Sequence, residues 1–131
     1  MGESFRRQTM TVAYFFDSYA VVEILSGSED YKAYAIEPVT LTMFQLAEIY
    51  WYALLNYKED VAEEIYEKYR AAVEEVDDAT LKEAIQFRKR HKKRDLSYAD
   101  CIGYVYAKRH GMKFLTGDKE FRDLLNVEFV K

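Results

Sequence analysis

Cysteine, proline, glycine and histidine are scarce in this chain: its 131 residues include one Cys, one Pro, five Gly and two His. The single cysteine, Cys101, excludes an intramolecular disulfide framework and any multi-cysteine zinc module, and a reducing cytoplasm is the expected setting. So few Gly and Pro exclude collagen-like and low-complexity classes, and leave little with which to build the many tight turns of a β-sandwich. Long apolar runs are missing too: the longest uncharged one, Ile49 to Leu55, is far short of the ~18 residues of a membrane span. The opening MGESFRRQTM lacks the apolar stretch of a signal peptide, so Arg6 and Arg7 read as a loose lead-in or an appended remnant.

What is present suffices for one folded unit. Half the residues are hydrophobic and 32% are charged, and a chain of this size buries roughly two thirds of its unfolded surface. Residues 1–131 are therefore expected to form a single domain without linker or internal repeat. The net charge of −4 argues at first against a nucleic-acid partner, because binding to phosphate is driven largely by cations releasing counterions. The distribution says otherwise. Arg88, Lys89, Arg90, Lys92, Lys93 and Arg94 crowd around His91, and without those six cations the chain carries 13 basic against 23 acidic residues. That run is either a solvated helix end or a strip that holds phosphate.

Thr11 to Phe16 reads as a buried strand ending at Asp17, followed by a helix over Tyr19 to Leu25 that Ser26 and Gly27 stop. A short helix is expected at Glu29 to Ala35 and a second strand at Pro38 to Leu41. Thr42 with Gln45 forms a capping-box pattern for a helix reaching about Tyr57. Glu59 to Glu75 is helical by composition, with Val61, Ile65, Tyr69 and Val73 at helical spacing. A helix from Asp78 or Thr80 ends in the basic run, and another runs from Ser97 to His110, with Gly111 as its stop. Lys113 to Leu115 predicts a strand, Lys119 to Leu125 a short helix and Val127 to Val130 a last strand. Strands alternating with helices point to an α/β fold with a central, mostly parallel sheet.

Four acids stand out only jointly. Asp17 by itself is an N-cap candidate, Asp100 part of a Ser97 capping box, and Asp118 the cap of a short helix. Glu48 is harder to dismiss, since Phe44, Tyr52 and Leu55 share its helix face and a carboxylate in an apolar stripe is costly unless paired or metal-bound. Three of the four fall at strand ends or helix starts, and in a parallel sheet the carboxyl ends of the strands form the ligand crevice. Carboxylates gathered there raise one another's pKa values, a conflict that a divalent cation removes. Oxygen donors without a supporting His or Cys suit Mg²⁺ or Mn²⁺, which activates water and clamps phosphodiester oxygens. The basic run would then hold the strand being cut.

The succession Phe15-Phe16-Asp17-Ser18, Glu48 within an apolar helix, Leu96-Ser97-Tyr98-Ala99-Asp100 and Leu115-Thr116-Gly117-Asp118-Lys119-Glu120-Phe121 resembles the PIN domain. Within that family it is most similar to the VapC-type toxin ribonucleases, over about Val12 to Phe129. The resemblance implies a three-layer α/β/α fold with Asp17, Glu48, Asp100 and Asp118 as catalytic, metal-holding residues around Mg²⁺ or Mn²⁺. It further implies RNA hydrolysis, Ser18 and Thr116 orienting neighbouring carboxylates, a homodimer and a small antitoxin partner. Glu120 stands where many members carry Asp. The competing reading is a PIN-like module that binds RNA or protein without turnover. Phosphoryl transfer through Asp17 ranks last, because Tyr19 stands where haloacid-dehalogenase-like phosphatases carry a second acid.

Other residues carry plainer expectations. Asp95 suits a helix boundary or salt bridge, Cys101 inert packing, His91 a phosphate contact and His110 a charge at a helix C-terminus. The 12 tyrosines should mostly pack the core, with exposed ones serving as interface anchors.

Overall fold

Three short strands rich in aromatic and aliphatic residues lie side by side at the centre: β1 (Tyr14–Phe16), β2 (Lys113–Thr116) and β3 (Val127–Phe129). They are parallel in the order β1-β2-β3, with Phe15 opposite Phe114 and Leu115 opposite Glu128. This computed structural model describes residues 11–131, so Arg6 and Arg7 lie outside the described residues. Five helices separate β1 from β2: α1 (Ser18–Leu25), α2 (Met43–Asn56), α3 (Glu59–Arg70), α4 (Asp78–Arg90) and α5 (Tyr98–Arg109).

Side chains alternate across a strand, and here the alternation separates two packed faces. Phe15 stacks beside Phe114 at 5.9 Å and meets Tyr106 of α5 at 5.5 Å. Tyr14 points the other way and meets Tyr34 edge-on at 5.4 Å. Helix α5 thus covers one face while α1 and the 3₁₀ turn Glu29–Tyr34 cover the other, giving the expected three layers. Phe15, Phe16, Phe114, Leu115 and Phe121 are fully buried, each worth about 1.5–3 kcal/mol of hydrophobic transfer. Helix α5 is buried from Cys101 to Ala107, as befits a helix that is apolar on nearly every side.

The expected strand at Pro38 to Leu41 does not form. Pro38 has no N–H for a ladder, and among the described residues the segment keeps two backbone links: Thr40 O accepts from Phe16 N at 2.9 Å, and Leu41 forms an isolated parallel bridge with Val73. That bridge also explains why α3 stops at Arg70 rather than Glu75. Leu41 N donates to Ala72 O at 3.3 Å and Glu74 N to Leu41 O at 2.8 Å, so a tertiary pairing outweighs helix propensity. The short helices expected at Glu29 to Ala35 and Lys119 to Leu125 are 3₁₀ turns over Glu29–Tyr34 and Lys119–Phe121. No helix among the described residues is long and apolar enough to cross a membrane.

Two devices lock the helices that matter for function. The Thr42–Gln45 capping box forms, and the buried Gln45 amide also donates to Ala99 O at 2.7 Å, tying the start of α2 to the start of α5. Gly103, one turn beyond Asp100, lets α5 press on the sheet: a Cβ there would lie 2.8 Å from both Gln45 Nε2 and Phe15 Cε1.

Candidate functional site

Each of the four acids comes from a different element. Asp17 follows β1, Glu48 lies midway along α2, Asp100 occupies the first turn of α5 and Asp118 follows β2. All four line one open cleft of about 620 Å³ at the carboxyl ends of the strands, with Ser18, Ser97, Arg88 and Asp95 also on its wall. Because β1 and β2 are parallel neighbours, their terminal acids emerge on the same side, as the ligand crevice of such sheets requires.

Hydroxyls and backbone donors fix the carboxylates. Thr116 Oγ1 donates to Asp17 Oδ2 at 2.7 Å and accepts from Asp118 N at 3.0 Å, so one hydroxyl joins the two strand ends. Ser18 Oγ donates to Glu48 Oε1 at 2.7 Å, joining the start of α1 to α2. Asp100 Oδ2 accepts from Ser97 N at 2.8 Å while Ser97 Oγ accepts from Asp100 N at 3.0 Å. Asp118 Oδ1 accepts from Glu120 N at 3.0 Å. The capping roles considered for Asp100 and Asp118 are therefore real, and they coexist with cleft-lining positions. Asp17 differs: it stands at the N-cap of α1 but makes no side-chain cap bond.

Asp17 is 2% exposed, and its Oδ1 is the buried side-chain polar atom without a hydrogen-bond partner among the described residues. Such an orphan is costly unless a ligand meets it. Burial, then the charge of Asp100, raises the Asp17 carboxyl well above its ordinary range; the Thr116 bond partly offsets this, and Glu48 and Asp118 add to the rise. Burial also raises Asp100, to about 6, against the bonds from Ser97 and with help from Glu48 and Asp118. Four oxygen-donor side chains that crowd one another and one orphaned oxygen fit a hard divalent cation. Among the described residues, no three His, Cys, Asp or Glu side chains stand ready to close on an ion by themselves.

The basic run divides on folding. Arg88, Lys89 and Arg90 form the last turn of α4 and suit the negative end of its dipole. Arg88 reaches the cleft, where its Nε donates to Leu96 O at 3.0 Å. Arg94 is committed elsewhere: it bonds both Asp123 carboxylate oxygens, at 2.9 and 3.1 Å, and Glu120 O at 2.6 Å. Lys92 and Lys93 are exposed. His91 packs on Phe87 with ring centroids 4.3 Å apart, and His110 on Tyr106 at 3.9 Å. Cys101 is buried, which pushes its thiol up to about 11 and keeps it unreactive.

Three cleft features escape the sequence reading. Glu23, one α1 turn beyond Tyr19, lines the wall, and its i, i+4 spacing from Tyr19 was the available signal. Asp95 lines the mouth beside Arg88 rather than forming an ion pair among the described residues. Gly117 is required by close approach, since a Cβ would come within 2.4 Å of Tyr19 Cε1 and of Val130 O. Its place in Thr116-Gly117-Asp118 was visible, but the approaching chains were not.

With this geometry in place, comparison with known proteins is informative. The family model described as PIN domain matches residues 14–125. No curated protein sequence matches the chain. Among solved structures, a VapC toxin of Mycobacterium tuberculosis described as cleaving the sarcin–ricin loop superposes with TM-score 0.76 at 18% identity, covering 91% of this chain and 100% of that one. A toxin–antitoxin complex from Klebsiella pneumoniae gives TM-score 0.71 at 18% identity over 88% and 96% of the two chains. A protein of Pyrobaculum aerophilum gives 0.63 at 19% over 92% of each.

Proposed function

The chain belongs to the PIN domain family, and from that premise we propose that it is a divalent-metal-dependent endoribonuclease, acting in the cytoplasm as the toxin of a toxin–antitoxin pair. The observation that carries this reading is Asp17: a buried carboxylate with an orphaned oxygen, held by Thr116 beside three more acids in one cleft. Asp17, Glu48, Asp100 and Asp118 would hold Mg²⁺ or Mn²⁺. When bound, the cation supplies an activated water and offsets charge on the phosphate under attack. Thr116 and Ser18 keep Asp17 and Glu48 in place before substrate arrives, so little ordering remains at the moment of reaction. Arg88 and the exposed lysines of residues 88–94 hold RNA backbone that the acids would otherwise repel.

A mixed RNA pool incubated with purified, partner-free protein tests this directly. Cleavage should require Mg²⁺ or Mn²⁺ and should disappear in Asp17→Asn and Asp100→Asn, both of which should fold. Metal binding by a protein that cuts no RNA would refute the enzymatic reading.

The alternative is a PIN-like module that binds RNA or protein without turnover. Calorimetry showing no Mg²⁺ or Mn²⁺ binding at millimolar levels would select it. The likeness to toxin–antitoxin complexes supports a small antitoxin partner. Self-association is supported by the apolar row Phe44, Trp51, Leu54 and Leu55, which α2 leaves exposed and which exceeds the scattered apolar residues of an ordinary surface.

A further inference from the structure

Cations beside the cleft are not confined to residues 88–94. Two smaller pockets border it along different edges and share no lining residue with each other. The first, about 300 Å³, meets the cleft at Arg88 and Leu96 and is lined further by Lys89, Lys92 and Tyr98. The second, about 440 Å³, meets the cleft at Tyr19 and Asp118 and is lined further by Lys119, Arg122, Phe129 and Lys131.

The two pockets repeat one construction. In the first, the Arg88 guanidinium carbon lies 4.4 Å from the centroid of the Tyr98 ring; in the second, that of Arg122 lies 5.1 Å from the centroid of Phe129. Tyr98 is 58% exposed although it begins a largely buried helix. Among the described residues, Lys89, Lys92, Lys119 and Arg122 enter no ion pair. The dipole of α4 accounts for cations at its own end, but Lys119 and Arg122 sit at no α-helix terminus. A cation that neutralises phosphate beside a π surface that receives a base is the construction of single-strand nucleic-acid sites. A paired base inside a duplex offers no free face to such a surface.

We propose that these pockets are subsites for unpaired nucleotides flanking the phosphate to be cut. A single RNA strand would cross the acidic cleft with one nucleotide against Arg88, Lys89, Lys92 and Tyr98, and another against Lys119, Arg122 and Phe129. The assignment rests on the ribonuclease reading of the cleft for its scissile phosphate, and on the pockets themselves for its strand.

Anisotropy of a labelled, unstructured 12-nucleotide RNA, measured with Mg²⁺ in an Asp17→Asn background across a salt series, tests it without turnover. The pairs Lys89→Gln/Lys92→Gln and Lys119→Gln/Arg122→Gln should each weaken binding and lower the log–log salt slope by roughly 1 to 1.5, at ~0.7 per single-strand phosphate contact. Lys58→Gln/Lys68→Gln, on a helix that lines neither pocket, should leave the slope unchanged. Tyr98→Ala should weaken binding about 5- to 160-fold, the range for one lost base stack, while Tyr98→Phe retains it and duplex RNA is indifferent to either. An unaltered slope in the Lys119/Arg122 pair, full binding by Tyr98→Ala, or no RNA binding at all would overturn the proposal. Strand binding through both pockets by a wild-type protein that never cuts RNA with Mn²⁺ would uphold the two pockets as single-strand subsites and sink the ribonuclease reading, and with it the scissile phosphate between them. Cutting that ignores both pockets would do the reverse.

Discussion

Asp17 illustrates what a sequence can and cannot say about one residue. An Asp between a strand and a helix is an ordinary N-cap, and nothing local distinguishes that from a ligand. The fold decides, because the side chain makes no cap bond and turns instead to Thr116, 99 positions away. Glu48 was more legible, since a carboxylate in an apolar stripe is anomalous from the sequence alone. The raised carboxyls also have a thermodynamic consequence. A carboxyl whose folded pKa exceeds its unfolded value contributes stability that is fully present below the unfolded pKa and lost as pH rises through the folded one. For Asp100 that window runs from the ordinary 3.8 to about 6, and Asp17 shifts in the same direction. Metal-free protein should therefore lose stability between about pH 4 and pH 7. Asp100→Asn keeps an acceptor for Ser97 N and removes part of that loss, so the metal-free variant should exceed wild type near neutral pH by on the order of 2 kcal/mol. Urea melts in chelator at about pH 5 and about pH 7.5 check both sign and size.

At the scale of the element, helix starts serve twice. The Ser97–Asp100 capping box begins α5 and at the same time orients a carboxylate at the cleft wall. Ser97→Ala should cost about 1 kcal/mol of stability and reduce metal-dependent activity together with it, measured by thermal melts and RNA cleavage on one preparation. An Ala variant of equal stability and full activity would mean the box does neither job. Both capping boxes, at Thr42–Gln45 and Ser97–Asp100, could be read from the sequence because their chemistry is local. The segment Pro38 to Leu41 could not. Its apolar residues suit a strand, yet Pro38 and the competing Leu41–Val73 bridge leave it a connecting stretch. The same bridge shortened α3, where composition alone favoured four or five more helical residues. Gly103 was silent in the sequence for the same reason: its importance lies in Phe15 and Gln45, which reach it from two other elements.

For the whole molecule, the order of strands and helices was legible because parallel α/β folds write alternation into the chain. The charge layout was legible only in half. Residues 88–94 form a visible run, whereas Lys119, Arg122 and Lys131 become a cationic pocket only after β2, the 3₁₀ turn and β3 bring them together. The chain is thus less an acidic body with one basic strip than an acidic cleft bordered by cations on two edges, and a net charge of −4 conceals both. Thermal melting of wild type and Asp17→Asn at neutral pH, each with and without millimolar Mn²⁺, tests most directly whether the four acids form one cation-dependent site. Wild type should start lower than Asp17→Asn and rise with Mn²⁺, since a ligand that binds only the folded state stabilises it by mass action, while Asp17→Asn should gain little. A wild-type melting temperature indifferent to Mn²⁺ would contradict the cation site and the metal-dependent ribonuclease built on it.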